Sequence, residues 1–290
     1  MARSGVGPAP AKRTQGSSML TNRKQALIMG LPLGAVLVAF FLLPMARLIL
    51  ETGTEGGVQL YLDALTKPRY LASLFSTITL SAVVTFCSLA LSGVVGVFLA
   101  RNSFPTKRLL VSMLTFPLAF PGVVVGFMVI LWAGRQGLLG QLTKTLTGDK
   151  IVLAYSMSGL FLGYLYFSIP RVVTAVMAAA EKISPELEEA ARSLGAAPWR
   201  VIKDVIIPAL TPAFISSGAI CFATSMGAFG TAFTLATDID VLPITIYTEF
   251  TLSASIGMAA CLSIILGTIT WAVLFCARIV AHEDSIGAAG

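Results

Sequence analysis

The chain has 290 residues, 56% of them hydrophobic and 12% charged, with 20 Lys and Arg against 14 Asp and Glu. A soluble domain carries about twice that charge density, so composition excludes an ordinary water-soluble globular protein, and the high hydrophobic content excludes a disordered one. A mean hydropathy of +0.86 turns attention to membrane spans and to the side of the membrane on which the positive charge falls.

In chain order, residues 1–25 are rich in Gly, Pro, Ala, Ser and basic residues and read as a disordered basic tail. Six apolar stretches follow, over 26–50, 74–100, 109–133, 151–171, 211–236 and 255–277. Each has roughly the 20 residues that a membrane-spanning helix needs, and in lipid the backbone hydrogen bonds must close within the segment, which demands helices. The first stretch is longer than the apolar run of a signal peptide, about 7 to 15 residues, and no small-x-small cleavage site follows it. The expected organisation is a tail over 1–25, one six-helix domain over 26–280 and a C-terminal tail over 281–290.

Two spans carry helix breakers. The third holds Pro117 and Pro121, followed by Gly122, and the fifth holds Gly227 and Gly230 after a run of small residues. Proline removes a ladder hydrogen bond and small residues let helices approach closely. Such positions serve tight packing, or a water-filled path that must flex. Between the last two spans lie Asp238, Asp240, Tyr247 and Glu249. They form either a solvated loop or an acidic, aromatic rim that draws in a cationic solute. Charged residues within the spans are nearly absent, and Arg171 is placed at the inner end of the fourth. This argues against a proton relay of buried acids or histidines.

The segment 181–208 is the most informative. Ser184 suits an N-cap and Pro185 the first helical position. Leu187, Ala190, Ala191 and Leu194 repeat at i, i+3, i+4 and i+7, an apolar stripe. Gly195 can end that helix, and Pro198 opens a second one that is expected to close near Pro208. An exposed apolar stripe requires a partner surface.

Charge sets the orientation. Fourteen basic residues fall in the 1–25 tail, the 101–108 loop, the 171–210 segment and the C-terminal end, and six fall on the opposite side. The positive-inside rule puts both termini in the cytoplasm. The basic excess is thereby read as topology and not as a nucleic-acid surface. Cys87, Cys221, Cys261 and Cys276 form no C-x-x-C pair and there is one histidine, His282, so no zinc site is expected. There is no phosphate-binding G-x-x-x-x-G-K-[ST] loop and no cofactor motif.

Glu189-Ala190-Ala191, three residues, Gly195, nine residues and then Val205-Ile206-Ile207-Pro208 resembles the EAA loop of ABC importer permeases. Val205 and Ile207 stand where that pattern has Ile and Leu. The resemblance covers about 70–280. It implies an all-α membrane protein with six transmembrane helices, the type I (MetI-like) permease fold, whose cytoplasmic coupling helices dock an ATPase. It also implies two ATP-binding subunits, a second permease subunit, identical or homologous, an external solute-binding protein and a home in the bacterial inner membrane, surrounded by lipid. The chain itself would then be a transport subunit and not an enzyme. Glu189, Ala190, Ala191, Gly195 and Pro208 become the coupling residues, and Pro117, Pro121, Gly227, Gly230, Tyr247 and Glu249 the candidate path. The stretches 116–126, 227–235 and 242–247 resemble the polyamine, sulfate, ferric-iron and aminoethylphosphonate branch, with a polyamine expected first. The competing reading is a stand-alone secondary transporter or channel.

Overall fold

The computed structural model describes residues 23–235 and 239–287, with side chains over 30–235 and 239–281. Most of the expected basic tail, and Asp238, lie outside the described residues. Among those described, the regular structure is helical. In order it comprises α1 (Arg23–Leu37), α2 (Leu43–Glu55), α3 (Val58–Thr66), α4 (Pro68–Arg101), α5 (Lys107–Thr115), α6 (Gly122–Ala133) and α7 (Leu138–Thr147). Then come α8 (Met157–Ala180), α9 (Pro185–Ser193), α10 (Pro198–Val201), α11 (Ile207–Met226), α12 (Phe229–Leu235), α13 (Leu242–Thr251) and α14 (Ile256–Gly287). The chain packs as two units, one ending at Arg47 and the other beginning at Leu48. Helix α14 continues past 280, so the separate tail expected from 281 is helical up to Gly287.

Six stretches are long and apolar enough to cross a membrane: Gly30–Glu55, Pro68–Arg101, Gly122–Thr147, Met157–Ala180, Pro198–Met226 and Ile256–Ala281. The number agrees with the sequence reading, and the third, fourth and fifth spans are displaced furthest from their expected bounds. The third crossing begins after Pro121, because Phe120 and Pro121 are extended and stop the helix that a continuous 109–133 span would require. The fourth begins at Met157 and runs to Ala180. Arg171 therefore lies within the helix and not at its inner end. The fifth starts at Pro198, runs through Pro208 and stops at Gly227.

Pro208 does not close a helix, contrary to expectation, and the local geometry explains this. A proline in a helix lacks an N–H, and its ring collides with the carbonyl four residues back. Here the π segment Ile202–Ile206 precedes it, and the Ile207 N–H donates five residues back, to the Ile202 carbonyl. The widened turn makes room for the ring. The same device recurs in the first span, where the π segment Val38–Leu42 ends two residues before Pro44 and the Leu43 N–H donates to Val38.

In the second unit the core is built on α4 and α8. The buried face of α4 is a stripe of small and hydroxyl residues: Ser73, Thr77, Ser81, Ser88, Ser92 and Gly96 recur at helical spacing. A Cβ at Gly96 would stand 2.9 Å from Val176 Cγ1. Ser92 donates to the Ile169 carbonyl at 3.3 Å. Lipid supplies no hydrophobic drive between helices, so such close, small-residue contact is what joins them. On the N-terminal half of α4, Thr77 accepts from the Leu242 N–H at 2.7 Å and Ser73 bonds Thr245 at 2.6 Å, which seats the start of α13. The Glu55 carboxylate accepts from the Gly257 N–H at 2.7 Å, placing negative charge at the N-terminus of α14. Leu160, Tyr164, Val172, Val176, Leu210 and Cys221 fill the centre. Phe86, Val94, Leu131 and Trp271 point outward, as suits a lipid solvent.

Candidate functional site

The loop between α8 and α11 folds as its local sequence dictates. Ser184 is extended and its hydroxyl accepts from the Glu186 N–H at 3.3 Å, Pro185 takes the first turn, and Arg192 stands in the last. Gly195 has φ +83°. Its N–H donates to the Arg192 carbonyl and the Ala196 N–H to the Ala191 carbonyl, the paired bonds of a Schellman stop. The chain then turns into α10 at Pro198.

Glu189, Ala190, Gly195 and Pro208 are exposed and Ala191 is half-buried. Leu187, Trp199 and Ile202 are exposed, and Leu194 is 90% exposed. The apolar stripe is thus open along α9 and into the next turn. The loop is tied to the rest of the molecule by residues that the sequence reading counted only as charges. Arg101, at the last position of α4, donates to the Ile183 carbonyl at 3.1 Å and pairs with the buried Glu188 carboxylate at 2.5 Å. Arg192 adds a weaker contact to Glu188 at 3.9 Å, and Lys107 reaches Glu181 at 3.6 Å. Arg101 and Glu188 are 87 positions apart, and no local spacing links them. The available signal was a basic residue ending the second span and an acid in the loop after the fourth.

The candidate path residues separate into two groups. Gly122, following Pro121, packs on the stretch that contains Gly230: Thr231 Oγ1 donates to the Gly122 carbonyl at 2.9 Å. A Cβ on Gly230 would meet the Val123 nitrogen at 3.1 Å, and one on Gly126 would stand 2.6 Å from Thr234 Cβ. Helices α6 and α12 therefore cross with their backbones nearly in contact, beside the two helix breaks. At Gly227, where α11 stops, the buried Tyr164 hydroxyl donates to the Ala228 carbonyl at 2.8 Å. Phe229, Phe233 and Tyr247 form a ring triad, with centroids 5.2, 5.3 and 5.4 Å apart. Pro117 lies in the 3-10 turn Phe116–Ala119, which packs on α8.

Glu249 does not belong to this group. It is 4% exposed and pairs with Arg69 at 3.2 Å. An acid neutralised by arginine and shut away from water offers little attraction to a cation, so the acidic rim expected from Asp238, Asp240 and Glu249 loses its third member. Asp240 is exposed, and Asp238 is outside the described residues.

Six apolar helices, with a capped and exposed loop between two of them, define the class as a multi-pass helical membrane protein. The chain matches the family model for the binding-protein-dependent transport system inner membrane component over residues 92–282. It belongs to that family, as a multi-pass inner-membrane permease subunit of an ABC importer and not an enzyme, which sets aside the stand-alone transporter or channel. The Molybdenum transport system permease protein ModB of Escherichia coli (strain K12) is 37% identical over 175 residues, covering 60% of this chain and 75% of the relative. The Sulfate transport system permease protein CysT of Salmonella typhimurium (strain LT2) is 30% identical over 257 residues, covering 83% and 90%. Among solved structures, a bacterial alginate ABC transporter in complex with alginate pentasaccharide-bound periplasmic protein superposes with a TM-score of 0.77 at 15% identity, covering 92% of this chain and 97% of that one. The MetNI methionine ABC transporter in an inward-facing conformation gives 0.58 at 16%, covering 74% and 96%. The fold is that of the type I (MetI-like) importer permeases.

Proposed function

We propose that this chain forms half of the translocation path for a tetrahedral oxyanion, sulfate or molybdate, and that its 181–208 segment docks an ATP-hydrolysing subunit. Both termini lie in the cytoplasm in this reading. The assembly holds two ATPase subunits, a second permease subunit, identical or homologous, and an external solute-binding protein, all set in membrane lipid. The solute class rests on the molybdenum and sulfate relatives and replaces the polyamine expected at first. The buried, arginine-paired state of Glu249 supports that replacement.

The observation that carries the docking reading is the exposed face of α9. Glu189, Ala190 and Leu187 stand open on a helix whose base is clamped by Arg101. Docking is tested with Gly195→Glu, expressed together with the partner subunits. At φ +83° a Cβ costs about 1 kcal/mol. Nothing lies within 4 Å of that Cβ, so the chain itself has room for it. The remaining effect falls on the docked partner. At least tenfold weaker ATPase association is expected, about 1.4 kcal/mol, at an unchanged membrane level. Wild-type association and uptake in Gly195→Glu would refute the assignment of this loop. Uptake of radiolabelled sulfate and molybdate by the wild-type assembly, each competed with the other and with a polyamine, tests the solute class.

A further inference from the structure

Arg171 is a cation inside a membrane-spanning helix, nine positions before the end of α8 at Ala180. It is half-buried. Among the described residues no carboxylate pairs with it. Helices α4, α6, α11 and α12, which pack on α8, contain no Asp or Glu at all. An ionised side chain within a span is costly, and where it persists it pairs with something or marks a solute route.

The surroundings are donors. Tyr164, Ser168 and Arg171 follow i, i+4 and i+7, one stripe of α8. One end of that stripe bonds the break after α11, Tyr164 to the Ala228 carbonyl at 2.8 Å, and the other bonds α11 itself, Arg171 Nη1 to Thr224 Oγ1 at 2.9 Å. The Thr224 hydroxyl also lies 2.9 Å from the Ile220 carbonyl, to which it donates, so it receives the guanidinium on its lone pair. This uses one of five guanidinium N–H groups. Between those two bonds stand Ser168 on α8 and Ser225 on α11. They are 1% and 0% exposed, and neither hydroxyl bonds another described group.

We propose that Arg171, with the Ser168 and Ser225 hydroxyls, forms a transient binding site for a tetrahedral oxyanion on the translocation path, at the level of the α11–α12 break. This rests on the oxyanion reading above. A planar guanidinium fork matches two oxygens of such an anion, and two otherwise unsatisfied hydroxyls can donate to a third. Thr224 is a positioning residue that holds the fork in place.

The test compares Arg171→Lys and Arg171→Gln in the complete assembly, reading membrane level, co-purified ATPase and uptake of sulfate and molybdate. Arg171→Gln is expected to lower uptake at least tenfold at normal membrane level and normal ATPase association, while Arg171→Lys, which keeps the positive charge and loses the fork, lowers it clearly less. A second arm uses Arg171→Cys in a transport-competent background lacking Cys87, Cys221, Cys261 and Cys276. Modification by 2-aminoethyl methanethiosulfonate, which adds a positive charge, should restore uptake, and neutral methyl methanethiosulfonate should not. Wild-type uptake in Arg171→Gln, equal loss in the Lys and Gln variants, or equal rescue by the neutral reagent overturns the site. Loss of membrane level in both Gln and Cys variants assigns the arginine to folding and overturns it as well. The unmodified assembly separates the two claims. If it imports a different anion, the site is tested on that anion. If it imports neither sulfate nor molybdate but a cation or neutral solute, the oxyanion reading fails first.

Discussion

Arg101 and Glu188 decide how firmly the 181–208 loop is held. Both side chains are largely withdrawn from water, and removing one partner leaves the other charge without its counterion, a cost on the order of 1–3 kcal/mol at a partly buried site. Glu188→Gln keeps the size and much of the hydrogen bonding, whereas Arg101→Ala also frees the Ile183 carbonyl. Arg101→Ala is therefore expected to have the larger effect. Hydrogen exchange of the α9 amides should quicken by about tenfold or more in Arg101→Ala and less in Glu188→Gln, with ATPase association weakening in the same order. Equal exchange rates in both variants and the wild type would mean that the clamp contributes nothing. Glu249 and Arg69 form a comparable pair on α13 and α4, half of it exposed, so Glu249→Gln should destabilise α13 without changing any preference between anions and cations.

At the scale of elements, glycines set the distance between helices. Gly96 on α4 faces Val176, and Gly126 on α6 faces Thr234 of α12 with 2.6 Å between the hypothetical Cβ and Thr234 Cβ. In neither place is there room for a branched side chain, and overpacking costs about 1–3 kcal/mol. Gly126→Val should lower the thermal midpoint in detergent more than Gly93→Val, because at Gly93 the nearest contact is the edge of the Phe214 ring at 3.3 Å. An equal shift for the two substitutions would argue against a backbone-limited crossing of α6 and α12. The paired π segment and proline is a second device of this scale. It lets α10 pass into α11 as a continuous stretch that runs from Pro198 to the break at Gly227.

At the scale of the whole molecule, the distribution of charge predicts which way the helices run. The basic residues divide fourteen to six, and the rule that follows from this puts Thr106 inside and Thr54 outside. Both positions are exposed. Cysteines introduced at Thr54 and Thr106, in a background without the four native ones, should react with an impermeant thiol reagent in intact cells at the first position alone. Labelling at Thr106 and not at Thr54 would invert the topology and move the 181–208 loop outside.

The helical class and the number of spans were legible in the sequence because apolar runs of fixed length are a one-dimensional property. The local fold of the 181–208 loop was legible too, since Ser184, Pro185 and Gly195 act through bonds to residues within a few positions. Where the helices begin and stop was read less well. Pro208 looked like a terminus, and only the π turn before it, a feature of backbone hydrogen bonding, allows the helix to continue. The tertiary structure alone decided which charges meet. Arg101 finds Glu188, Arg69 finds Glu249, and Arg171 finds a threonine and no acid. These partners lie dozens to well over a hundred positions apart, and in a low-dielectric interior the neighbour across the helix contact, not the neighbour in sequence, determines whether a charge is neutralised or left to act on a solute.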